Sequence, residues 1–206
     1  MKNNHVERFN HNAQNYSTDR YPGRAECVRK VLDFLDPKAD DVILDVGCGP
    51  GSQILKLSRF VRFAYGIDPA ERMILQAEET AQNFPNVSFF VGSAENLPPK
   101  INQLGISKIF SNYALHHLSE DAKRQSIKNL ASLLPHSGMI VLGDLMFSDD
   151  PDKHKALFEI VGYGPGCDTP SKLSILEEIF YEAGLSYSSH ILNPLVAVIV
   201  GKKAKV

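Results

Sequence analysis

The segment that most constrains how this chain can fold is a glycine-rich turn behind an apolar run. Residues 42–46 are apolar except for Asp45, and Gly47, Gly49 and Gly51 follow at alternate positions. Glycine permits the unusual backbone angles of a tight turn and allows the backbone to approach a ligand closely. The pattern predicts a buried strand, a tight turn and a helix whose first N–H groups face a ligand, although such a turn also occurs without one.

Short apolar runs alternate with helical patterns along most of the chain. The runs occupy Val42–Val46, Val61–Ile67, Val87–Val91, Lys108–Asn112 and Met139–Leu145. Near-continuous apolar strands separated by helices predict a parallel sheet that is covered on both faces. Two further runs, Tyr187–Leu192 and Leu195–Gly201, are separated only by Asn193 and Pro194, so they must form an antiparallel hairpin. We therefore predict an α/β fold with a doubly wound, seven-stranded, Rossmann-like sheet whose last strand is reversed and whose helices cover both faces.

Local signals predict where several helices begin and end. A helix is expected from about Arg24 to Leu35, and Ser119 is placed to cap a helix that contains Ile127 and Leu130. A late helix is expected to begin with Thr169 as its N-cap and Pro170 as its first residue, and to end before Gly184.

Length and composition predict one domain over residues 1–206, in which residues 1–22 could form a lid and residues 146–168 a substrate loop. The net charge of −2 gives no reason to expect nucleic acid as a partner. The longest apolar run, Leu195–Val200, is too short to span a membrane, and no secretory signal is evident. Three cysteines without paired spacing favour a cytoplasmic protein. The sequence does not predict the oligomeric state.

An acidic residue follows the second predicted strand. Asp68 comes directly after Ile67, and in a doubly wound sheet this position reaches the crevice beside the first strand. A carboxylate there can accept hydrogen bonds from both hydroxyls of a ribose, so the glycine turn and Asp68 together predict nucleoside binding. The G-x-G-x-G spacing differs from the G-x-G-x-x-G of dinucleotide folds. Asp45 would repel a pyrophosphate but suits a ligand with an ammonium and a sulfonium, which favours S-adenosylmethionine over NAD.

Three motifs, LDVGCGPG, YGIDPAERMI and VGSAENLP, together resemble the class I S-adenosylmethionine-dependent methyltransferases. The similarity extends from about Phe9 to Val200. The segment Ser111–Leu118 and residues 9–16 resemble the small-molecule enzymes of the ubiquinone/menaquinone-biosynthesis type.

The resemblance implies roles for the matching positions. Asp45 and the backbone of Gly47, Cys48, Gly49 and Gly51 would border the methionine part of the cofactor, with Asn112 beside its amine. Asp68 would hold the ribose, Pro69 and Met73 would pack near the adenine, and the Ala94 N–H would face the ring. Many relatives carry Asp where this chain has Ser93, whose hydroxyl accepts a hydrogen bond more weakly. Glu95 either substitutes for that carboxylate or is a solvated acid at a helix start.

Two adjacent histidines follow the fourth predicted strand, where the mouth of the site is expected. His116 or His117 is a candidate base, and at most one of them is expected to face the site. The alternative is that one packs in the core and the other is solvated. Neither an H-E-x-x-H nor a C-x-x-C motif is present, so no metal site is predicted. Asp144, Asp149 and Asp150 are interpreted as a solvated acidic loop, with the magnesium site of an O-methyltransferase as the alternative.

Aromatic residues near the predicted mouth are candidates for the acceptor pocket. They are Tyr16, Tyr21, Tyr113, Phe147 and Tyr163, although each could equally belong to the core. The predicted function is methyl transfer to a small-molecule acceptor by in-line displacement. An NAD-dependent oxidoreductase and a non-enzymatic S-adenosylmethionine-binding protein remain as alternatives.

Overall fold

A computed structural model describes residues 4–13, 23–160 and 168–204. The strands are β1 (Val42–Val46), β2 (Phe63–Asp68), β3 (Val87–Val91), β4 (Lys108–Asn112), β5 (Met139–Phe147), β6 (Ser171–Lys172), β7 (Leu185–Asn193) and β8 (Val196–Lys203). They form one central sheet with the strand order β3-β2-β1-β4-β5-β8-β7, and the two-residue strand β6 pairs with β5 outside this path.

Helices cover both faces of the sheet. The helices are α1 (Asn4–Asn12), α2 (Arg24–Leu35), α3 (Ser52–Leu57), α4 (Glu71–Thr80), α5 (Glu120–Leu133), α6 (Pro151–Ile160) and α7 (Leu173–Glu182). Two hydrophobic layers result, one containing buried residues of α5 and α7 and the other buried residues of α2, α3 and α4. Strands β1, β4, β5 and β8 are buried along most of their length, which explains their near-continuous apolar sequences.

The predicted sheet is confirmed, including its reversed strand. Strands β1 to β5 pair in parallel, whereas β8 runs antiparallel to both β5 and β7. Four strands have boundaries that differ from the predicted runs. Strand β2 spans Phe63–Asp68 rather than Val61–Ile67, and β5 continues to Phe147. Strands β7 and β8 span Leu185–Asn193 and Val196–Lys203 rather than Tyr187–Leu192 and Leu195–Gly201. The parallel arrangement brings the carboxyl ends of β1, β2 and β4 to one edge of the sheet.

The predicted start of the late helix is wrong. Helix α7 begins at Leu173, and Ser171 and Lys172 instead form β6 beside Met146 and Phe147. Gly184 lies just past the helix end with a φ of 76°, as predicted. The other local predictions hold, since α2 spans Arg24–Leu35 and the Ser119 side chain accepts a hydrogen bond from the N–H of Ala122. Within the described ranges, no helix combines the length and apolar character that crossing a bilayer requires.

Candidate functional site

A cleft opens at the carboxyl ends of β1, β2 and β4. It is bordered by the glycine turn, the start of α4, the loop after β3, the loop after β4 and the inner side of α1. Its lining residues are Val6, Phe9, Gly47, Gly49, Asp68, Pro69, Met73, Ser93, Glu95, Asn96, Tyr113, Ala114, His117 and Leu118. Ligands of open α/β sheets bind outside the carboxyl ends of the strands, so this is the expected position for a binding site.

The glycine turn forms the floor of this cleft. The N–H groups of Gly47 and Cys48 both donate to the carbonyl of Ile67, at 2.8 and 3.0 Å. Gly47 has a φ of 74°, and a Cβ at this position would lie 2.3 Å from the Cβ of Ala114. Only glycine therefore allows the turn to pass beneath the loop after β4.

The Asp68 carboxylate lies beside the turn and lines the cleft. It accepts hydrogen bonds from the N–H groups of Gly49, at 2.9 Å, and Ala70, at 2.8 Å. Burial raises the pKa of Asp68, and the two N–H donors and the nearby His117 partly offset this effect. Each carboxylate oxygen can accept more than one hydrogen bond, so Asp68 retains capacity for a ligand hydroxyl.

Two buried acceptor oxygens lie at the ends of the neighbouring strands β1 and β4. Asp45 Oδ2 and Asn112 Oδ1 have no hydrogen-bond partner among the described residues, whereas Asn112 Nδ2 donates to Gln53 Oε1 at 2.8 Å. Burial and the negative charge of Asp68 raise the pKa of Asp45 well above its ordinary value. An ammonium group would relieve this unfavourable charge and supply the missing donors, and a nearby sulfonium would relieve the charge without donating, so the site fits a ligand that carries both.

The residues that are predicted to lie near the adenine belong to the start of α4 and to the loops before it and after β3. Pro69, Met73, Ser93 and Glu95 all line the cleft there. Ala94 is buried outside the lining, and its carbonyl accepts a hydrogen bond from Asn129 Nδ2.

Four other predicted cofactor residues also lie outside the lining: Asp45, Cys48, Gly51 and Asn112. Burial and the carboxylates of Asp45 and Asp68 raise the pKa of the Cys48 thiol well above its ordinary value. The thiol is therefore protonated and packs as a small apolar group.

His116 is buried outside the cleft and is bound to Asp144. Its ring atom Nδ1 lies 2.5 Å from Asp144 Oδ1, and its backbone N–H donates to Asp144 Oδ2 at 3.0 Å. Burial lowers the pKa of His116, although Asp144 opposes the effect. Asp144 also accepts a hydrogen bond from the Leu145 N–H. The interpretation of Asp144 as part of a solvated acidic loop is wrong because it points into the core, whereas Asp149 and Asp150 are exposed.

His117 lines the cleft and is paired with a residue that sequence reasoning missed. Its Nδ1 lies 3.0 Å from Asp168 Oδ1, and the edge of its ring packs against Phe9 with the centroids 5.2 Å apart. Burial acts to raise the pKa of Asp168, but the hydrogen bond from His117 and the charges of both histidines lower it overall. Asp168 is 51 residues from His117 in sequence, and no local pattern connects them.

The predicted acceptor-lining residues occupy different environments. Tyr113 lines the cleft and has a φ of 52°, which is uncommon for a residue with a side chain and is typical of functional sites. Phe147 is in the hydrophobic layer beside α2 and is not among the lining residues. Tyr16, Tyr21 and Tyr163 lie outside the described residues. Val6 and Phe9 of α1, which do line the cleft, were not predicted as lining residues.

Comparisons with known proteins agree with this geometry. Residues 43–138 match a family model described as a methyltransferase domain. Over 182 residues the chain is 30% identical to an uncharacterized methyltransferase of Geobacillus sp. (strain WCH70), covering 84% of this chain and 83% of the relative. The chain belongs to the class I S-adenosylmethionine-dependent methyltransferases.

Two further matches extend over most of the methyltransferase. A Bacillus pumilus protein described as an uncharacterized methyltransferase is 28% identical over 210 residues, which are 95% of each chain. Magnesium protoporphyrin IX methyltransferase of Synechocystis, solved with bound S-adenosylhomocysteine, has the same fold. Its TM-score is 0.69 at 20% identity, and the match covers 88% of this chain and 84% of the other. The predicted cofactor, S-adenosylmethionine, is thereby confirmed, whereas the resemblance to quinone-biosynthesis enzymes stays a prediction.

Proposed function

We propose that the methyltransferase transfers the methyl group of S-adenosylmethionine to a small molecule held in the cleft between α1 and the loop after β4. The observation that carries the proposal is the set of side chains that line this part of the cleft, which is its acceptor half. Val6, Phe9, Tyr113 and Leu118 supply apolar or aromatic surface there, with the polar side chain of His117 among them. Small-molecule sites are typically apolar clefts with a few oriented polar groups.

The other half of the cleft has the groups that the cofactor needs. Asp68 is placed to accept the ribose hydroxyls, with Pro69 and Met73 beside the adenine. Asp45 and Asn112, which lie outside the lining, would offer their buried acceptor oxygens to the methionine ammonium. The cofactor supplies an activated methyl group, so the protein must chiefly align the acceptor with the methyl and the sulfur.

The two histidines have separate roles in this proposal. His117 lines the cleft and is the histidine that contacts the acceptor, while Asp168 orients its ring through Nδ1. His116 is a positioning residue, because its bonds to Asp144 hold the loop after β4 against β5. The helix α1, within the predicted lid, closes the cleft with Val6 and Phe9.

Calorimetric titration with S-adenosylhomocysteine tests the cofactor assignment. We expect Asp68→Ala to weaken binding by about 1–3 kcal/mol, roughly 5- to 150-fold, since buried hydrogen bonds to a charged group are lost. Glu78→Ala, which removes an exposed carboxylate of α4, is the matched control and should bind normally. Equal affinities of the two variants would contradict the role given to Asp68.

Labelling with a tritiated methyl donor tests the acceptor class. The purified enzyme is incubated with a cell extract separated into metabolite, RNA and protein fractions, and the transferred label is counted in each. The proposal expects enzyme-dependent label in the metabolite fraction. Label confined to RNA or protein would overturn the small-molecule assignment without affecting the cofactor assignment.

A further inference from the structure

We propose that His116, His117 and Asp168 bind one divalent transition-metal ion at the edge of the cleft. The residues that hold the cofactor take no part in this cluster, so the proposal stands apart from the cofactor assignment. The sequence predicts no metal site here, because neither an H-E-x-x-H nor a C-x-x-C motif is present.

The distances between the candidate ligand atoms suit a small ion. Asp168 Oδ1 lies 3.0 Å from Nδ1 of His117 and 3.6 Å from Nε2 of His116. The three ligand atoms all lie within 4.8 Å of one another. A tetrahedral zinc ion with bonds of about 2.0–2.1 Å holds its ligands about 3.3 Å apart. Small side-chain rotations would therefore place all three atoms at bonding distance.

His116 is oriented as metal-bound histidines are. Its Nδ1 and its backbone N–H both face Asp144, at 2.5 and 3.0 Å. When Nδ1 carries the proton and donates it to the carboxylate, the lone pair of the ring is on Nε2. That nitrogen lies 3.6 Å from Asp168 Oδ1, so a cation held between the two atoms would bind the lone pair of one and balance the charge of the other. A carboxylate behind a ligating histidine is the usual outer partner in such sites.

The Asp168 carboxylate is held in place by the residues that follow it. The Thr169 N–H donates to the His116 carbonyl at 2.7 Å, and Thr169 Oγ1 donates to the Leu118 carbonyl at 2.7 Å. The buried Lys123 Nζ donates to the Thr169 carbonyl and, at 2.8 Å, to Ser171 Oγ. These bonds hold the candidate ligands together before any ion arrives, which lowers the cost of binding one.

The donor set indicates the class of ion. Two imidazole nitrogens and one carboxylate oxygen suit zinc and neighbouring transition metals, whereas magnesium and calcium prefer oxygen ligands. Among the described residues, the cluster supplies three ligands, as catalytic zinc sites do when the fourth position is filled by water or substrate.

Metal titration of the full chain, first dialysed against a chelator, tests the proposal. Zn²⁺ is added in a calorimeter, and Co²⁺ is followed by its visible absorption, which is much stronger for four-coordinate than for six-coordinate cobalt. We expect one ion per chain, strong cobalt absorption and no saturable heat with Mg²⁺. Absence of saturable binding with this stoichiometry would overturn the proposal and would indicate that the three side chains only contact one another.

Variants locate the ion. Asp168→Asn and His117→Gln should each weaken Zn²⁺ binding at least tenfold, and Asp144→Asn should weaken it roughly 10- to 100-fold by releasing His116. His154→Gln is the matched control, because His154 is also paired with a carboxylate, that of Asp149, but on the surface. Unchanged affinity in both ligand variants, or loss in the control, would refute the assignment. Binding of S-adenosylhomocysteine verifies that each variant is folded, and His117→Gln carries the test if Asp168→Asn does not fold.

Discussion

Asp68 acts on Asp45 from the end of the neighbouring strand, and its negative charge adds to burial in raising the pKa of Asp45. The two carboxylates also contribute to the raised pKa of the Cys48 thiol. Keeping two acids together where one lacks a hydrogen-bond partner costs stability. The cost is understandable if both serve a cationic ligand.

Replacing Asp45 should therefore weaken cofactor binding. We expect Asp45→Asn to reduce the affinity for S-adenosylmethionine roughly 10- to 100-fold at pH 7.5, because an ionic hydrogen bond to the ammonium becomes a neutral one. Calorimetric titration provides the measurement. Asp40→Asn, an exposed position just before β1, is the control and should bind like the wild type. Equal affinity of Asp45→Asn and wild type would argue against contact between Asp45 and the cofactor.

The same substitution should make the unliganded protein more stable at neutral pH. The pKa of Asp45 is raised on folding, so the folded state binds this proton more tightly than the unfolded state. Stability is then lost as pH rises from the ordinary carboxyl pKa through the raised one, and the penalty is fully present above it. Urea denaturation of Asp45→Asn should show a gain over wild type at pH 7.5 and a smaller gain at pH 4. A variant that is less stable at pH 7.5 would show that Asp45 has stabilising partners in the folded state.

Gly143 of β5 should not tolerate a side chain. A Cβ there would lie 2.4 Å from Val31 Cγ2 and 2.7 Å from Cys27 Sγ, both on α2. We expect Gly143→Ala to lower the free energy of unfolding by about 1–3 kcal/mol, as overpacking of a core does. Chemical denaturation gives the value. Adding Val31→Ala should recover part of the loss, and a purely additive double variant would show that the clash lies elsewhere.

The cap of α5 offers a simpler test of local structure. Ser119→Ala removes the acceptor for the Ala122 N–H and should cost about 1 kcal/mol of stability. Ser132→Ala, at an exposed position in the last turn of the same helix, should cost less, because alanine favours helix. Thermal unfolding of the two variants side by side makes the comparison. Similar losses in both would mean that the Ser119 cap contributes little.

The fold could be predicted because its signals are local. Apolar runs of strand length, separated by amphipathic helices, describe a buried parallel sheet, and the short gap between the last two apolar runs requires an antiparallel pair. The structure makes this turn at Pro194 and Leu195, one residue later than predicted. The late helix shows the limit of such signals. Thr169 has the chemistry of an N-cap, but its hydroxyl bonds to the loop after β4, which the chain reaches only through tertiary packing.

The candidate site was predictable in its cofactor half and less so in its acceptor half. Gly47 and Asp68 belong to motifs with fixed spacing around one strand and one turn. Asp168 is brought to His117 by the return of the chain to β5, and Phe9 reaches the cleft through the packing of α1. Neither has a local pattern that marks it. Asp144 was misinterpreted because acids near it in sequence are solvated, whereas the geometry of β5 turns its side chain inward.

The reversed strand has a consequence for how the chain is made. Strand β8 follows every other described element in sequence, yet it lies between β5 and β7, and Val198 and Ile199 are fully buried. Until β8 has been synthesised, the backbone of β5 is unpaired along one edge, and both hydrophobic layers lack the side chains that β8 contributes. Folding of the sheet is therefore completed only after β8 has been synthesised. A truncation that removes β8 would leave unpaired backbone groups in the middle of the sheet, rather than remove a strand from its edge.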